Sequence, residues 1–333
     1  MEGMSLKEKE GEHLPKIRYK NMDDVRTDHS VQEFRQWRKE RRGKKKDLAF
    51  RVPSVPPDIE YLQGNRREPT ITWIGHSTFL IQYEGLNLLT DPVWANRMGL
   101  DRRTLDPGIA IGDMPPVDVI LISHSHYDHL HLASIRKLYR EGTTLIVPAG
   151  LRAKMVRKGF RNAMELGWWE QTAVGGAKIT FVPAQHWTRR TPFDTNTSHW
   201  GGYVLEPAAE ARSAADCDPD PPKRTLYFAG DSGYFPGFRE IGSRFKIDAA
   251  MIPIGAYEPE WFMATQHVNP EQAVQAFLDV GAKTMIPMHY GTFRLADDTA
   301  QEALERMEAE RKRLGIAEER IRVLKCGETM RVK

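Results

Sequence analysis

From Thr70 onward the chain alternates short apolar runs with polar turns. Runs at 71–74, 78–83, 87–90, 117–123, 144–148, 178–183, 202–205, 225–229, 249–254, 284–287 and 322–325 read as strands. Helical periodicity falls between some of them, at 131–140, 151–158, 270–280 and 299–314. Asn269-Pro270-Glu271 marks a helix start, with Asn as the N-cap and Pro at the first helical position. Strand runs mixed with late helices predict an α/β or α+β body, sheets covered by helices. No internal repeat interrupts this pattern.

Residues 1–67 differ from the rest. They are polar and basic, and read as an N-terminal extension packing on a body at 68–333. Positions 35–46 hold eight basic residues and one acid, and Val31, Phe34 and Trp37 recur at helical spacing. Such a helix could present its charge to anionic lipid headgroups. The charge run reads instead as a solvated basic arm that packs Phe34 and Trp37 on the body. Residues 206–222, rich in Ala, Asp and Pro, read as a surface loop with an exposed, nonessential thiol at Cys217.

Composition narrows the function. The 333 residues carry a net charge of +3, so no nucleic-acid partner is expected. No apolar run approaches the ~20 residues of a membrane span. The charged start of the chain lacks the apolar stretch of a signal peptide, which predicts the cytosol. Cys217 and Cys326 form no CxxC pattern, so any metal here is held by nitrogen and oxygen.

The chemistry concentrates in Ser123-His124-Ser125-His126-Tyr127-Asp128-His129, directly after the run 117–122. Four of the 11 histidines lie between positions 124 and 131. Imidazole and carboxylate side chains at a strand tip are the ligand types of zinc. His124 and His126 alternate along an extended segment, and Asp128 and His129 follow at a turn, which suits two adjacent metals. Three further strands end in a ligand-type residue: at His186 after 181–185, at Asp231 after 226–230, and at His289 after 285–288.

Taken in this order, His-x-His-x-Asp-His, then His, Asp and His, the pattern resembles the metallo-β-lactamase superfamily. Longer strings resemble N-acyl-phosphatidylethanolamine-hydrolysing phospholipase D and its bacterial relatives. They include Thr72-Trp73-Ile74-Gly75-His76-Ser77-Thr78, Gln185-His186-Trp187, Phe228-Ala229-Gly230-Asp231, Gln266-His267-Val268 and His289-Tyr290-Gly291-Thr292-Phe293. The likeness covers roughly residues 68 to 330; the N-terminal region matches poorly, and 206–222 looks like an insertion.

This resemblance implies an αββα sandwich of two mixed sheets flanked by helices, with 68–333 as the catalytic domain. It implies two zinc ions, one on His124, His126 and His186, the other on Asp128, His129 and His289, with Asp231 bridging. It places Tyr127, Gln266 and His267 at the substrate, with His267 or Tyr127 steadying the phosphate or protonating the leaving alkoxide. His76 and Asp91 would orient ligands. The implied reaction converts N-acyl-phosphatidylethanolamine to phosphatidate and an N-acylethanolamine, by attack of a hydroxide held between the metals. Phospholipid is then the partner, with peripheral contact at the inner membrane surface and a homodimer as further expectations. Trp261-Phe262-Met263 and Trp94 are candidates for an apolar channel, while Trp187 reads as core packing. The competing enzyme is a hydrolase of this fold acting on a soluble lactone or phosphodiester. A non-catalytic lipid-binding protein is disfavoured because all seven ligand positions are filled, and a di-iron oxygenase because His126 stands where such relatives carry Glu.

Overall fold

The computed structural model describes residues 17–27, 29–208 and 223–333. Cys217 and most of the expected 206–222 loop lie outside the described residues. Two helices, α1 (Val31–Gly43) and α2 (Ile59–Gly64), lead into the body. There follow β1 (Thr70–Gly75), β2 (Thr78–Tyr83), β3 (Leu86–Thr90), a small ribbon of β4 (Arg97–Met98) and β5 (Asp101–Arg102), and β6 (Val119–Leu121). Next come α3 (Leu132–Leu138), β7 (Thr144–Pro148), α4 (Arg152–Arg157) and β8 (Ala163–Leu166). The second half holds β9 (Gln171–Val174), β10 (Ala177–Val182), β11 (Gly202–Pro207), β12 (Leu226–Phe228), α5 (Gly237–Arg244) and β13 (Ala249–Pro253). It ends with α6 (Glu260–Met263), α7 (Pro270–Asp279), β14 (Thr284–Met288), α8 (Ala300–Arg313) and β15 (Thr329–Arg331).

The strands form a seven-stranded sheet, β15-β1-β2-β3-β6-β7-β8, and a six-stranded sheet, β14-β13-β12-β11-β10-β9. Both are mixed. Side chains alternate across a strand, and here both faces are apolar, so strands read as continuous hydrophobic runs. Val119 and Leu121 join Phe79, Phe181 and Phe228 in the core between the sheets. Ile120, between them, points to the opposite face and packs with Leu62, Ile135 and Met155 of α2, α3 and α4. On the far side of the second sheet, α5 and α7 contribute Ile241 and Phe277. Helices, two sheets and helices follow in layers: the expected αββα sandwich.

Helix α7 starts at the expected cap, where Asn269 and Gln272 form a reciprocal capping box with Pro270 at the first position. The strand expected at 322–325 does not form. Ile321 makes a single bridge to Met285, and β15 pairs with β1 instead. Strands β8 and β9 escaped prediction because they are short and half-exposed, without the apolar alternation that marks a strand.

Strands β1, β3 and β6 run in one direction within their sheet, as do β10, β12 and β14 in theirs. Their C-terminal ends gather at one rim of the sandwich, where ligands bind in sheets of this kind. Helix α1 lies beside that rim. Trp37 stacks on Phe262 with ring centroids 5.3 Å apart, and Arg41 and Lys44 reach the fully buried carboxylate of Asp297 at 3.4 and 3.2 Å. Val52 and Leu62, both before residue 68, are part of the body's cores. Among the described residues, no helix is long and apolar enough to cross a membrane.

Candidate metal centre

Each chemical side chain sits just past a strand end at this rim. His76 occupies the β1–β2 turn, Asp91 follows β3, His124 to His129 follow β6, and His186, Asp231 and His289 follow β10, β12 and β14. His76, Asp91 and His289 have φ of +54°, +34° and +63°, a backbone region that costs energy for residues with a Cβ. Such strain persists where surrounding structure enforces it and clusters at functional sites. Gly230, with φ +65°, brings Asp231 in close; a Cβ there would lie 2.6 Å from the Gly201 carbonyl oxygen.

The side chains form two groups. His124 Nε2 lies 3.0 Å from His126 Nδ1, which lies 3.2 Å from His186 Nε2. The second group is Asp128, His129 and His289: Asp128 Oδ2 is 3.3 Å from His129 Nε2 and 3.6 Å from His289 Nε2. Asp231 Oδ2 stands between the groups. It is 3.1 Å from both His129 Nε2 and His289 Nε2, and 3.9 and 4.0 Å from His124 Nε2 and His186 Nε2. All seven residues assigned from the sequence are therefore brought together.

Hydrogen bonds from behind fix which nitrogen faces inward. His129 Nδ1–H donates to Asp91 Oδ2 at 2.6 Å. The Ser123 hydroxyl also donates to Asp91 Oδ2, at 2.5 Å, and its oxygen accepts from His124 Nδ1 at 2.9 Å. His186 Nδ1–H donates to the Gln266 carbonyl oxygen at 2.9 Å. The Nε2 lone pairs of His124, His129 and His186 are thus left pointing at one another. His76 Nε2–H supports Asp128 Oδ2 at 3.0 Å. Asp91 and His76 take the orienting positions expected of them, the arrangement in which a carboxylate behind an imidazole sets its tautomer and its basicity as a ligand.

Converging lone pairs repel unless a cation or a proton lies among them. Asp231 Oδ1, His126 Nε2 and His289 Nδ1 are buried without a hydrogen-bond partner, unusual for polar atoms. Burial opposes charge on His129 and His289, but Asp231 and Asp128 outweigh it. His129 is raised well above the usual histidine range, and His289 to about 9. Burial dominates for His126, lowered to about 3, and His186, lowered to about 4. Asp128 and Asp231 stay well below the usual carboxylate range despite burial, held there chiefly by His129. Protons thus neutralise this cluster where a divalent cation would do so with more suitable donors. Five imidazoles and two carboxylates fit a pair of such cations with nitrogen and oxygen ligands.

The structure treats the other assigned residues differently. His267 is buried with its ring 5.1 Å from His186 and 5.5 Å from His289, its Nδ1 unpartnered. Gln266 is buried beside it, its carbonyl serving His186 and its side-chain Oε1 unpartnered. Tyr127 turns away. Its hydroxyl donates to the Arg190 carbonyl at 2.9 Å, and its half-exposed ring lies under the Arg190 guanidinium, apart from the cavity beside the cluster. Arg190 went unnoticed in the sequence, yet it donates to the carbonyls of Ser125 and Leu130 at 2.7 and 3.0 Å and ties the histidine-rich loop together.

That cavity, of about 460 Å³, opens onto His126, Asp128, Asp231 and His289. Its apolar wall comes from Val31, Phe34 and Trp37 of α1 and from Phe262, Met263 and Leu295. Trp187 also lines it, which corrects the expectation of core packing; its ring is braced edge-on against His126, 4.8 Å away. Trp94 is a correction too: it packs under the first sheet, its Nε1 donating to the Ile109 carbonyl. Trp261 is half-exposed and donates to Glu40.

Fold and donor set together define a metal-dependent hydrolase of the metallo-β-lactamase fold. The profile of the "Beta-lactamase superfamily domain" matches residues 86–290, and the chain belongs to that superfamily. Its homologues include N-acyl-phosphatidylethanolamine-hydrolyzing phospholipase D 1 of Caenorhabditis elegans, 35% identical over 240 residues, spanning 67% of this chain and 64% of that protein. A UPF0173 metal-dependent hydrolase of Rubrobacter xylanophilus is 30% identical over 275 residues, spanning 81% of this chain and 98% of its own length. Among solved structures, the isothiocyanate hydrolase from Delia radicum gut bacteria superposes with a TM-score of 0.62 at 21% identity, covering 78% of this chain and 98% of that one.

Proposed function

We propose that the protein is a phosphodiesterase of the phospholipase D type, cleaving N-acyl-phosphatidylethanolamine to phosphatidate and an N-acylethanolamine. The observation that carries this reading is the apolar cavity placed directly against the paired donor groups. It has the size and lining of a site for acyl chains, and the similarity to a phospholipase D of that specificity supports it.

His124, His126 and His186 would hold one zinc ion, Asp128, His129 and His289 the other, and Asp231 would serve both. Zinc ions bound there would polarise a phosphodiester oxygen and acidify a water that attacks phosphorus. The chain's own residues do the rest. Asp231 fixes the separation of the two groups. Asp91, through His129 and Ser123, engages the Nδ1 side of His129 and His124 and so turns each Nε2 toward the centre for ligation. His267 is kept neutral by burial, so it offers one N–H to a phosphate oxygen rather than a positive charge. Arg189, at the exposed cavity rim and stacked against Trp187, brings a fixed charge to the approaching anion. Phe262, Met263 and Trp37 exclude water from the side where the acyl chains lie. In this reading the enzyme meets its lipid peripherally, with exposed Arg35, Arg38 and Arg42 beside Val31 and Phe34 on α1.

The test is product analysis by mass spectrometry after incubating the zinc-loaded protein with N-acyl-phosphatidylethanolamine in mixed micelles. Phosphatidate plus N-acylethanolamine from the wild type, and neither from His126→Ala, is expected. Intact lipid after incubation, alongside hydrolysis of a soluble lactone or phosphodiester, would transfer the site to a soluble substrate.

A further inference from the structure

Asn21 lies far from the metal-ligand motifs in sequence, in a segment outside the superfamily match, yet its side chain is buried at the metal centre. Its Oδ1 accepts from the His186 backbone N–H at 2.9 Å, and its Nδ2 donates to the His186 carbonyl oxygen at 2.9 Å. The same amide accepts from Trp200 Nε1 at 2.9 Å and donates to the Val25 carbonyl at 3.0 Å. A primary amide has two donor hydrogens and two acceptor lone pairs, and all four are used. The Thr27 hydroxyl adds a second donor to the His186 carbonyl, at 3.3 Å.

His186 is thereby held at three points. Asn21 grips its backbone on both polar groups, and the Gln266 carbonyl holds its Nδ1–H. Only Nε2 is free to face His126 and His124. The loop carrying His186 has no strand partner of its own here: β10 ends at Val182, and β11 begins at Gly202. A side-chain amide paired with both backbone groups does locally what a neighbouring strand would do. The adjoining chain is anchored as well. The Tyr19 N–H donates to the Asn196 carbonyl, and the Tyr19 ring packs 4.5 Å from His199.

We infer that Asn21 is a positioning residue for the three-histidine group, so that the N-terminal segment is a working part of the metal centre. The inference rests on His186 being a ligand. Residues that orient ligands are typically worth about 10–100-fold in metal affinity or activity. Asn21→Asp keeps the shape and both acceptor contacts but cannot donate to the two carbonyls. Asn21→Ala loses all four bonds.

The measurement is titration of the metal-free full chain with Co²⁺, read by its visible ligand-field spectrum, with thermal unfolding of each variant in parallel. Asn21→Ala and Asn21→Asp are each expected to weaken Co²⁺ binding by about 10–100-fold at one of two sites and to alter that site's spectrum. Arg41→Ala, which loosens α1 from Asp297 without touching His186, controls for general loosening and should keep both affinity and spectrum. Wild-type affinity and spectrum in folded Asn21→Asp would overturn the inference, whether or not Asn21→Ala folds. His186→Ala separates the two levels: if it also binds Co²⁺ as the wild type does, the ligand assignment itself fails.

Discussion

Asp91 shows how one buried carboxylate governs two imidazoles. It accepts from His129 directly and reaches His124 through the Ser123 hydroxyl, so both histidines turn Nε2 toward the centre. Asp91→Asn would put an amide where only an acceptor fits. Metal affinity should fall about 10–100-fold with the fold retained, as read by metal titration and circular dichroism. A second consequence is pH dependence. In the metal-free protein the carboxylate neighbours raise His129 and His289, the latter to about 9, and so favour their protonated forms. A metal must displace those protons. Affinity should therefore rise with pH as these protons are lost, the His289 share of the rise ending near 9, with protons released on binding at lower pH. Calorimetry in buffers of different ionisation enthalpy reads the release directly; no proton release at pH 7 would contradict this charge balance.

At the scale of elements, the site is a property of strand ends. β6, β10, β12 and β14 end one to four residues before His124, His186, Asp231 and His289. Gly230→Ala tests this dependence, because the added Cβ would lie 2.6 Å from the Gly201 carbonyl oxygen and 2.8 Å from Ser123 Cβ. Asp231 would be displaced without being altered, and bound metal should drop below the wild-type amount in a protein that is still folded. These strand ends were legible in the sequence because each joins a continuous apolar run to one ligand-type residue, and both signals are local. What stayed hidden is non-local. Asn21 and Arg190 work through backbone groups of loops distant in sequence, and neither residue type nor spacing announces such a contact. Trp187 was misjudged for a related reason: apolar character says that a side chain is sheltered, not whether protein or a cavity shelters it. Tyr127 sits inside the densest motif, yet the turn between His126 and Asp128 directs it to Arg190.

The whole molecule is a two-sheet sandwich that delivers ligands from both sheets to one rim, then closes one side of the resulting cavity with α1. Asp231 and His289 come from one sheet, His124 to His129 and Asp91 from the other, so the centre joins the halves. Bound metal should for that reason stabilise the fold as a unit; a ligand at a thousand times its dissociation constant adds about 4 kcal/mol. Chelation should accordingly lower the melting temperature of the wild type by more than that of Asp231→Ala. The most direct test of the account is elemental analysis of the purified full chain after zinc loading and desalting. About two equivalents of zinc per chain are expected in the wild type, and fewer in Asp231→Ala. A folded wild-type protein that retains no zinc would contradict the account.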